Sequence, residues 1–577
     1  MSVPKGEVVV SDDGVSLLVR PAPTHEAWLG QTLKTALPDR PRRGSGGFVV
    51  PFRASTALAS VPDLRWSDAA TRAADNRLRL RERHDDVLRR MRAAHEAGIA
   101  EARRQVGADH WASELDDHQV MNVAALTLPG GWGGCVFDEQ GTGKTPTMIA
   151  IFDVLHARDE ADLMVIVAPK SMLREWVAEF DRFTDGLYRV GVVSGSREAK
   201  SVALQQRYDV LVMNYETVVS LRENLRLIAQ GARVVLAVDE SFFVKNRATA
   251  RAAAVAELRE WCVRAFVLCG TPAPNSPHDL VPQFDLVDFG LTFEGVDLDA
   301  DREVATEQAR SAIAERGFFT RNLKRTVLPH LPTKHFSEVS VPLAPEQQLA
   351  YSAVLSDLIM DLTNTTDDDF NRRLTTYMER RAALLRICAD PTALIPGYHE
   401  TPAKIAALDE VLSDLVEAKG EKVIVWSFYR HDLDRISERY DRLGLVRIDG
   451  SVTDVAERRE AVRRFQTDPS VGVFVGNPAV AGAGLTLHAA RFAVYESMSN
   501  QAAHFLQSLD RIHRRGQERD VEYISLLGAG TIEETEYAAL LDKADRQADL
   551  LGDEPEIRRT RSLMLAELLR SQEANVG

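Results

Sequence analysis

Asp138-Glu139-Gln140-Gly141-Thr142-Gly143-Lys144-Thr145 lies between the apolar run Cys135-Val136-Phe137 and a stretch of helical pattern. Its glycines let the backbone curl so that successive N–H groups face one point, as an anionic phosphate requires. Gly141, Thr142 and Gly143 form such a cradle. From this position Lys144 reaches the β and γ phosphates of a nucleotide, and the Thr145 hydroxyl can ligate Mg²⁺. A strict loop of this type carries glycine at 138, where this chain has aspartate. A strand before the loop and a helix after it predict a parallel α/β sheet.

The surrounding sequence agrees. From Leu115 to about Leu286, short apolar strands alternate with helical stretches: Cys135 to Phe137, Leu163 to Ala168, Val210 to Met213, Val234 to Val238 and Ala265 to Leu268. Apolar runs of this length indicate a sheet covered on both faces. The same texture returns from Lys422 to about Leu527, with strands at Val423 to Trp426, Val446 to Ile448, Val473 to Val475 and Phe492 to Tyr495. Between these two lobes, Phe289 to Pro402 reads as helical. The polar run Asn364 to Asp369 reads as a loop within it.

Two further elements carry chemistry. Val234 to Val238 ends in Asp239-Glu240. Asp239 is placed to hold Mg²⁺, and Glu240 to orient and deprotonate an attacking water. In the second lobe, Arg511 and Arg514 are three apart, hence on one helical face. A cation inserted across a cleft stabilises charge on a transferring γ-phosphate. ATP and Mg²⁺ are the cofactors these patterns imply.

The chain has 577 residues, 45% hydrophobic and 27% charged, enough apolar material for about three or four domains. Its net charge is −15, which argues weakly against a polyanion partner, but a local basic channel would suffice to bind one. No apolar run is long enough to span a bilayer, and Met1 to Gly14 lacks a signal-peptide pattern, so cytoplasmic residence away from membranes is expected. Cys135, Cys262, Cys269 and Cys388 form no Cys-x-x-Cys pair and read as buried small hydrophobes. Residues 1–108 read as an accessory α+β module. Its strands are Val15 to Arg20 and Phe48 to Pro51, its helix Glu26 to Leu37, and a long charged helix runs from Leu78 to Val106. The expected order continues with a first lobe at 109–288, a helical insertion at 289–402, a second lobe at 403–545 and a helical tail at 546–577.

The motifs resemble the Swi/Snf ATPases of helicase superfamily two across roughly Leu115 to Glu534. Leu115-Asp116-Asp117-His118-Gln119 is similar to the family's Q-motif, whose glutamine reads adenine. The family's phosphate loop carries aspartate where this chain has Asp138. Ala168-Pro169-Lys170 and Met213-Asn214-Tyr215 resemble the motifs that follow. Asp239-Glu240-Ser241-Phe242 occupies the DEAH-box place, with Ser241-Phe242 replacing alanine–histidine. That loss puts in doubt how the lobe signals nucleotide state to Gly270-Thr271-Pro272 with Asn275, which resembles motif III. Gln140 and Thr142 replace the usual methionine and leucine. Gly482-Ala483-Gly484 and Asp510-Arg511-Ile512-His513-Arg514-Arg515-Gly516-Gln517, preceded by Gln507, resemble second-lobe motifs. The N-terminal strand–helix–strand segment resembles the HARP-type domain of some annealing helicases, or equally a generic small α+β module.

The resemblance implies two RecA-like lobes with ATP in the cleft. Lys144, Asp239, Glu240, Arg511, Arg514 and Gln507 would then serve hydrolysis, with Gln119 and Gly482 at the nucleotide. It implies double-stranded DNA as the partner, bound through phosphates with little sequence preference. Lys170, Arg174, Arg321, Lys324, Arg325 and Lys334 are the expected contacts. A translocase that remodels protein–DNA complexes or junctions, in replication, repair or phage–host conflict, is the expected role. The alternatives are a remodeller directed at RNA or RNA polymerase, and an ATP-gated DNA sensor that recruits an effector. The N-terminal module is the expected site of a protein partner.

Overall fold

Three sheets organise the chain. The structure is a computed structural model and describes residues 4–11, 16–37, 41–107, 114–273, 276–365, 367–452, 454–478, 485–498 and 502–546. The first lobe is a seven-stranded sheet in the order Phe319–Thr320, Gly133–Val136, Arg264–Leu268, Val234–Asp239, Leu163–Val167, Val210–Met213, Val190–Val193. All its pairs are parallel. Alternation along each strand feeds two cores. Leu163, Val165 and Val167 enter the apolar layer on one face, and Met164 and Ile166 the layer on the other. A strand buried on both sides must be apolar at every position, which is why these runs were readable.

The second lobe has six parallel strands in the order Lys334–Val341, Val521–Gly528, Phe492–Tyr495, Val423–Trp426, Val473–Gly476, Leu445–Ile448. The fold is therefore α/β with two RecA-like lobes. A five-stranded N-terminal sheet adds the α+β module, in the order Arg42–Gly44, Gly47–Pro51, Ser16–Pro21, Gly6–Val10, Leu64–Trp66. Leu29 and Leu33 of the helix Glu26–Ala36 seal its core.

The long helix differs from expectation. It starts earlier, spanning Asp68–Glu96, because the Ser67 side chain accepts from Ala70 N and caps it. It breaks at Gly98, where φ is +83°, before a second helix Ile99–Val106. Arginines fix it to the first lobe. Arg77 and Arg81 donate to the two oxygens of Glu294 at 3.0 and 2.6 Å. Arg92 donates to the Ala314 and Gly317 carbonyls at 2.6 and 2.8 Å. Val87 and Met91 enter the first lobe's core.

The stretch 289–402 is not simply a helical insertion. Its helix Arg302–Arg316 buries Ala309, Ala312 and Ile313 in the first lobe, and Phe319–Thr320 is an edge strand there. Lys334–Val341 is an edge strand of the second sheet. A two-residue strand leaves no periodic signal, and an edge strand with charged side chains lacks an apolar run. Only Pro345–Thr363, Asp367–Arg372 and Leu374–Ala389 form the helical part. Asp367 to Asp369, read as loop, begin a helix, and acidic residues suit a helix N-terminus. The described residues end in the helix Ile532–Arg546, and most of the expected tail lies outside them.

Candidate active site

Parallel strands bring their C-terminal ends to one edge, and the site sits there. Register aligns three of them: Val136 pairs with Leu268, and Leu268 with Asp239. The phosphate loop, Gly270-Thr271-Pro272 and Asp239-Glu240 thus emerge side by side.

Gly141 and Gly143 both take positive φ, +86° and +92°. At Gly143 a Cβ would sit 2.1 Å from Gln119 Nε2, which could shift, but the positive φ itself favours glycine. Gln119, expected on adenine, braces the loop. Its Nε2 donates to the Gly143 carbonyl at 3.0 Å, and its Oε1 accepts from Asp116 N at 2.7 Å. The Thr142 hydroxyl is likewise turned inward, onto the Glu139 carbonyl at 2.7 Å. Asp138 is buried and ties three segments together. It accepts from Asn122 Nδ2 at 2.8 Å, from Asn322 N at 3.0 Å and from Asn322 Nδ2 at 2.9 Å. Lys144 Nζ donates to the Asp138 carbonyl at 2.9 Å and to Gln140 Oε1 at 3.3 Å.

The carboxylates are held as firmly. Trp176 Nε1 donates to Asp239 Oδ2 and Glu240 N to Asp239 Oδ1, both at 2.9 Å. Glu240 adopts φ +51°, a left-handed conformation that costs free energy for a side chain of this size. Burial pushes both carboxyls up. Lys144 opposes this at both, and for Glu240 Arg511 and a hydrogen bond from Gln140 do so too. Glu240 Oε2 is buried without a hydrogen-bond partner among the described residues. A buried, unpaired carboxylate oxygen beside a lysine fits a site that receives a water and a hard cation. Thr145 and Asp239 would hold Mg²⁺, which would supply positive charge to offset that of the phosphates. Glu240 would orient the water and accept its proton.

The missing histidine is bypassed. Ser241 Oγ donates to Gln283 Oε1 at 2.6 Å, and Gln283 Nε2 donates to the Pro272 carbonyl at 2.6 Å. Gln283 is fully buried. Ser241, the residue after the strand-end carboxylates, is therefore joined to Gly270-Thr271-Pro272 through two hydrogen bonds of Gln283.

From the second lobe, the helix Ala502–Leu509 ends before the arginines, so Arg511 and Arg514 lie on turns, not on a helix face. Arg511 Nε caps the Gln507 carbonyl at 2.9 Å, and Tyr523 caps that of Leu509 at 2.5 Å. The arginines still come together, both donating to the Leu485 carbonyl at 3.2 and 3.1 Å. Burial lowers Arg511 to about 10, and its Nη2 is buried without a hydrogen-bond partner among the described residues. Glu175 faces both arginines from the helix Leu173–Thr184, and burial pushes its carboxyl up to about 8 despite them. Gln507 lines a cavity of about 580 Å³ between the lobes, together with Gln140 and Thr271.

The expected nucleic-acid contacts divide. Lys170 and Arg174 are exposed on the first lobe. Arg321 instead donates to the Gly270 carbonyl at 2.9 Å and to that of Phe137. Lys324 is buried, its Nζ 2.5 Å from Asp510 Oδ1, and Lys334 lies 3.9 Å from the same oxygen. This basic stretch folds under because Leu323, Leu328 and Leu331 line the cavity between the lobes. Gly482, Asn275 and the Arg325 side chain lie outside the described residues. Asn122, Trp176, Gln140, Gln283 and Asn322 were not read as site residues from sequence.

A family model, the SNF2-related domain, matches residues 105–393, half of the chain. The chain belongs to the SNF2-related family. The helicase conserved C-terminal domain follows at 403–516. Together these are the domains of a nucleic-acid-dependent ATPase of helicase superfamily two. The chain is 29% identical over 445 residues to the mouse (Mus musculus) chromodomain-helicase-DNA-binding protein 1-like, covering 71% of this chain and 47% of that protein. It is 27% identical to the human (Homo sapiens) SWI/SNF-related matrix-associated actin-dependent regulator of chromatin subfamily A member 1, covering 73% and 42%. The mouse DNA annealing helicase and endonuclease ZRANB3 is also 27% identical, at 74% and 40% coverage. The chain thus spans less than half the length of these SNF2 relatives. The solved Sulfolobus solfataricus SWI2/SNF2 ATPase core in complex with dsDNA covers 79% of this chain and 96% of its own, at 22% identity and a TM-score of 0.35.

Proposed function

We infer that this SNF2-family chain is an ATP-driven motor that tracks along double-stranded DNA and uses that movement to remodel protein–DNA complexes or DNA junctions. The observation that carries it is convergence across the cleft: Lys144, Asp239 and Glu240 stand on one lobe, and Arg511 of the other lies close enough to Glu240 to oppose the rise that burial gives its carboxyl. A site completed only when two lobes meet turns hydrolysis into relative motion. Lys170 and Arg174, exposed on the first lobe, are the proposed phosphate contacts, giving sequence-tolerant, salt-sensitive binding. The relatives' names, which include chromatin regulators and a DNA annealing helicase, support DNA as the track.

Steady-state ATP hydrolysis at low salt, with no nucleic acid, duplex, single-stranded or forked DNA, or RNA, tests this. Duplex DNA is expected to stimulate hydrolysis strongly. Glu240→Gln is expected to lower kcat by ~10²–10⁴-fold without abolishing nucleotide binding. Stimulation by RNA alone would sink the duplex reading and favour an RNA-directed remodeller. A fork preference lost on deleting residues before 109 would assign junction recognition to the N-terminal module.

A further inference from the structure

We propose that Lys324 and Asp510 form an inter-lobe strut that sets Arg511 against the nucleotide site, which makes Lys324 a positioning residue for hydrolysis and not a contact to nucleic acid.

Lys324 lies on the connection between the sheets, after the strand Phe319–Thr320 and before Lys334–Val341. Its backbone is fastened to the phosphate loop. Lys324 N donates to Glu139 Oε2 at 2.7 Å, and Glu139 N donates to the Asn322 carbonyl at 2.9 Å. One residue earlier in the loop, Asp138 holds Asn322 through both its backbone and its amide. The Lys324 side chain crosses to the other lobe. Its Nζ meets Asp510 Oδ1 at 2.5 Å and the His513 carbonyl at 3.0 Å. His513 Nε2 in turn hydrogen-bonds the Pro332 carbonyl, further along the same connection, at 2.7 Å. Arg511 sits inside this bracket, between the two residues that the connection grips.

Burial makes the strut selective. The Lys324 and Asp510 side chains are 4% and 11% exposed. A charge there is tolerated only when paired, so the strut forms with the lobes closed and both ions return to water when they part. Closing the lobes and placing Arg511 are then one event. A displacement of about 1 Å in such a group can cost about a hundredfold in rate.

The test compares Lys324→Met, Asp510→Asn and the double variant with the wild type. It measures kcat and KM for ATP at saturating duplex, and duplex affinity by fluorescence anisotropy across a salt series. Each single change is expected to lower kcat by about 10- to 100-fold while KM moves less than about threefold. Duplex affinity and its salt slope stay at the wild-type values. The double variant falls no further than the worse single one, and Lys324→Arg recovers part of the rate. Losses that multiply in the double variant overturn the strut. So does an intact kcat with weaker duplex binding and a shallower salt slope, which would return Lys324 to a phosphate. Circular dichroism checks folding. If the neutral variants unfold, Asp510→Glu with Lys324→Arg, which keep both charges and change only length, carry the test: unchanged kcat in both overturns it. The proposal rests on the ATPase reading, and wild-type hydrolysis measured alongside separates failure of that reading from failure of the strut.

Discussion

Glu175 is held near Arg511 and Arg514, yet burial raises its carboxyl to about 8 from an ordinary 4.5. Between those values the folded chain keeps a proton that the unfolded chain has released. Stability therefore falls as pH rises through that window, and the loss is complete above about 8. Glu175→Gln cannot ionise. Its melting temperature is expected to decline less than the wild type's between about pH 5 and 8, and parallel slopes would refute the assignment. Other residues show what a sequence does and does not disclose. Lys144, Thr145, Asp239 and Glu240 were legible because local order carries their chemistry: glycines before a lysine, carboxylates at a strand end. Asp138 read as the aspartate that the resembled family's phosphate loop carries in place of glycine, with no partners. Its partners Asn122 and Asn322 lie 16 and 184 residues away, and no local pattern links them. Gln140 read as a neutral replacement, yet its side chain bridges Lys144 and Glu240.

Among elements, buried strands were the easiest to read and edges the hardest. Val234–Asp239 is buried at every position, whereas Lys334–Val341 is buried only at its last. The end of the helix Ala502–Leu509 was missed for a related reason. Its terminal carbonyls are satisfied by Arg511 and Tyr523, and such capping from a distance leaves no sequence signal. The strand end at Asp239-Glu240 and the turn Gly270-Thr271-Pro272 communicate through Ser241 and Gln283. Gln283→Leu strands a buried hydroxyl and a buried carbonyl, at a cost of about 1–3 kcal/mol for each group left unpaired. Urea denaturation is expected to show the loss as a lower midpoint at constant slope. Adding Ser241→Ala, which removes one orphan, is expected to restore part of it. The fold enhancement of hydrolysis by duplex DNA is expected to fall more than the unstimulated rate. Equal falls in both would limit the link to structure.

At the scale of the molecule, three sheets share one chain, and among the described residues Arg77, Arg81 and Arg92 of the N-terminal module are all held by the first lobe. Glu294 receives both Arg77 and Arg81 and is itself 6% exposed. Glu294→Gln weakens both pairs, a loss of about 2 kcal/mol for a largely buried ion pair. Hydrogen exchange is expected to quicken along Asp68–Glu96 while the second lobe keeps its protection; uniform exchange would mean that the helix is held by packing of Val87 and Met91 alone. The two lobes were visible in the sequence because each repeats the same strand–helix texture. The attachment of the module was not, since it depends on arginines meeting carbonyls and a carboxylate more than 200 residues downstream.

That attachment has a mechanical side. The helix Asp68–Glu96 has 29 residues, so at 1.5 Å per residue it is roughly 43 Å long. Arg77, Arg81 and Arg92 fasten it to the first lobe over more than half that length, and Ala70 and Ala74 at its start enter the core of the N-terminal sheet. It is therefore a splint, and a rotation of the first lobe about the hinge between the lobes would carry the N-terminal sheet with it as one body.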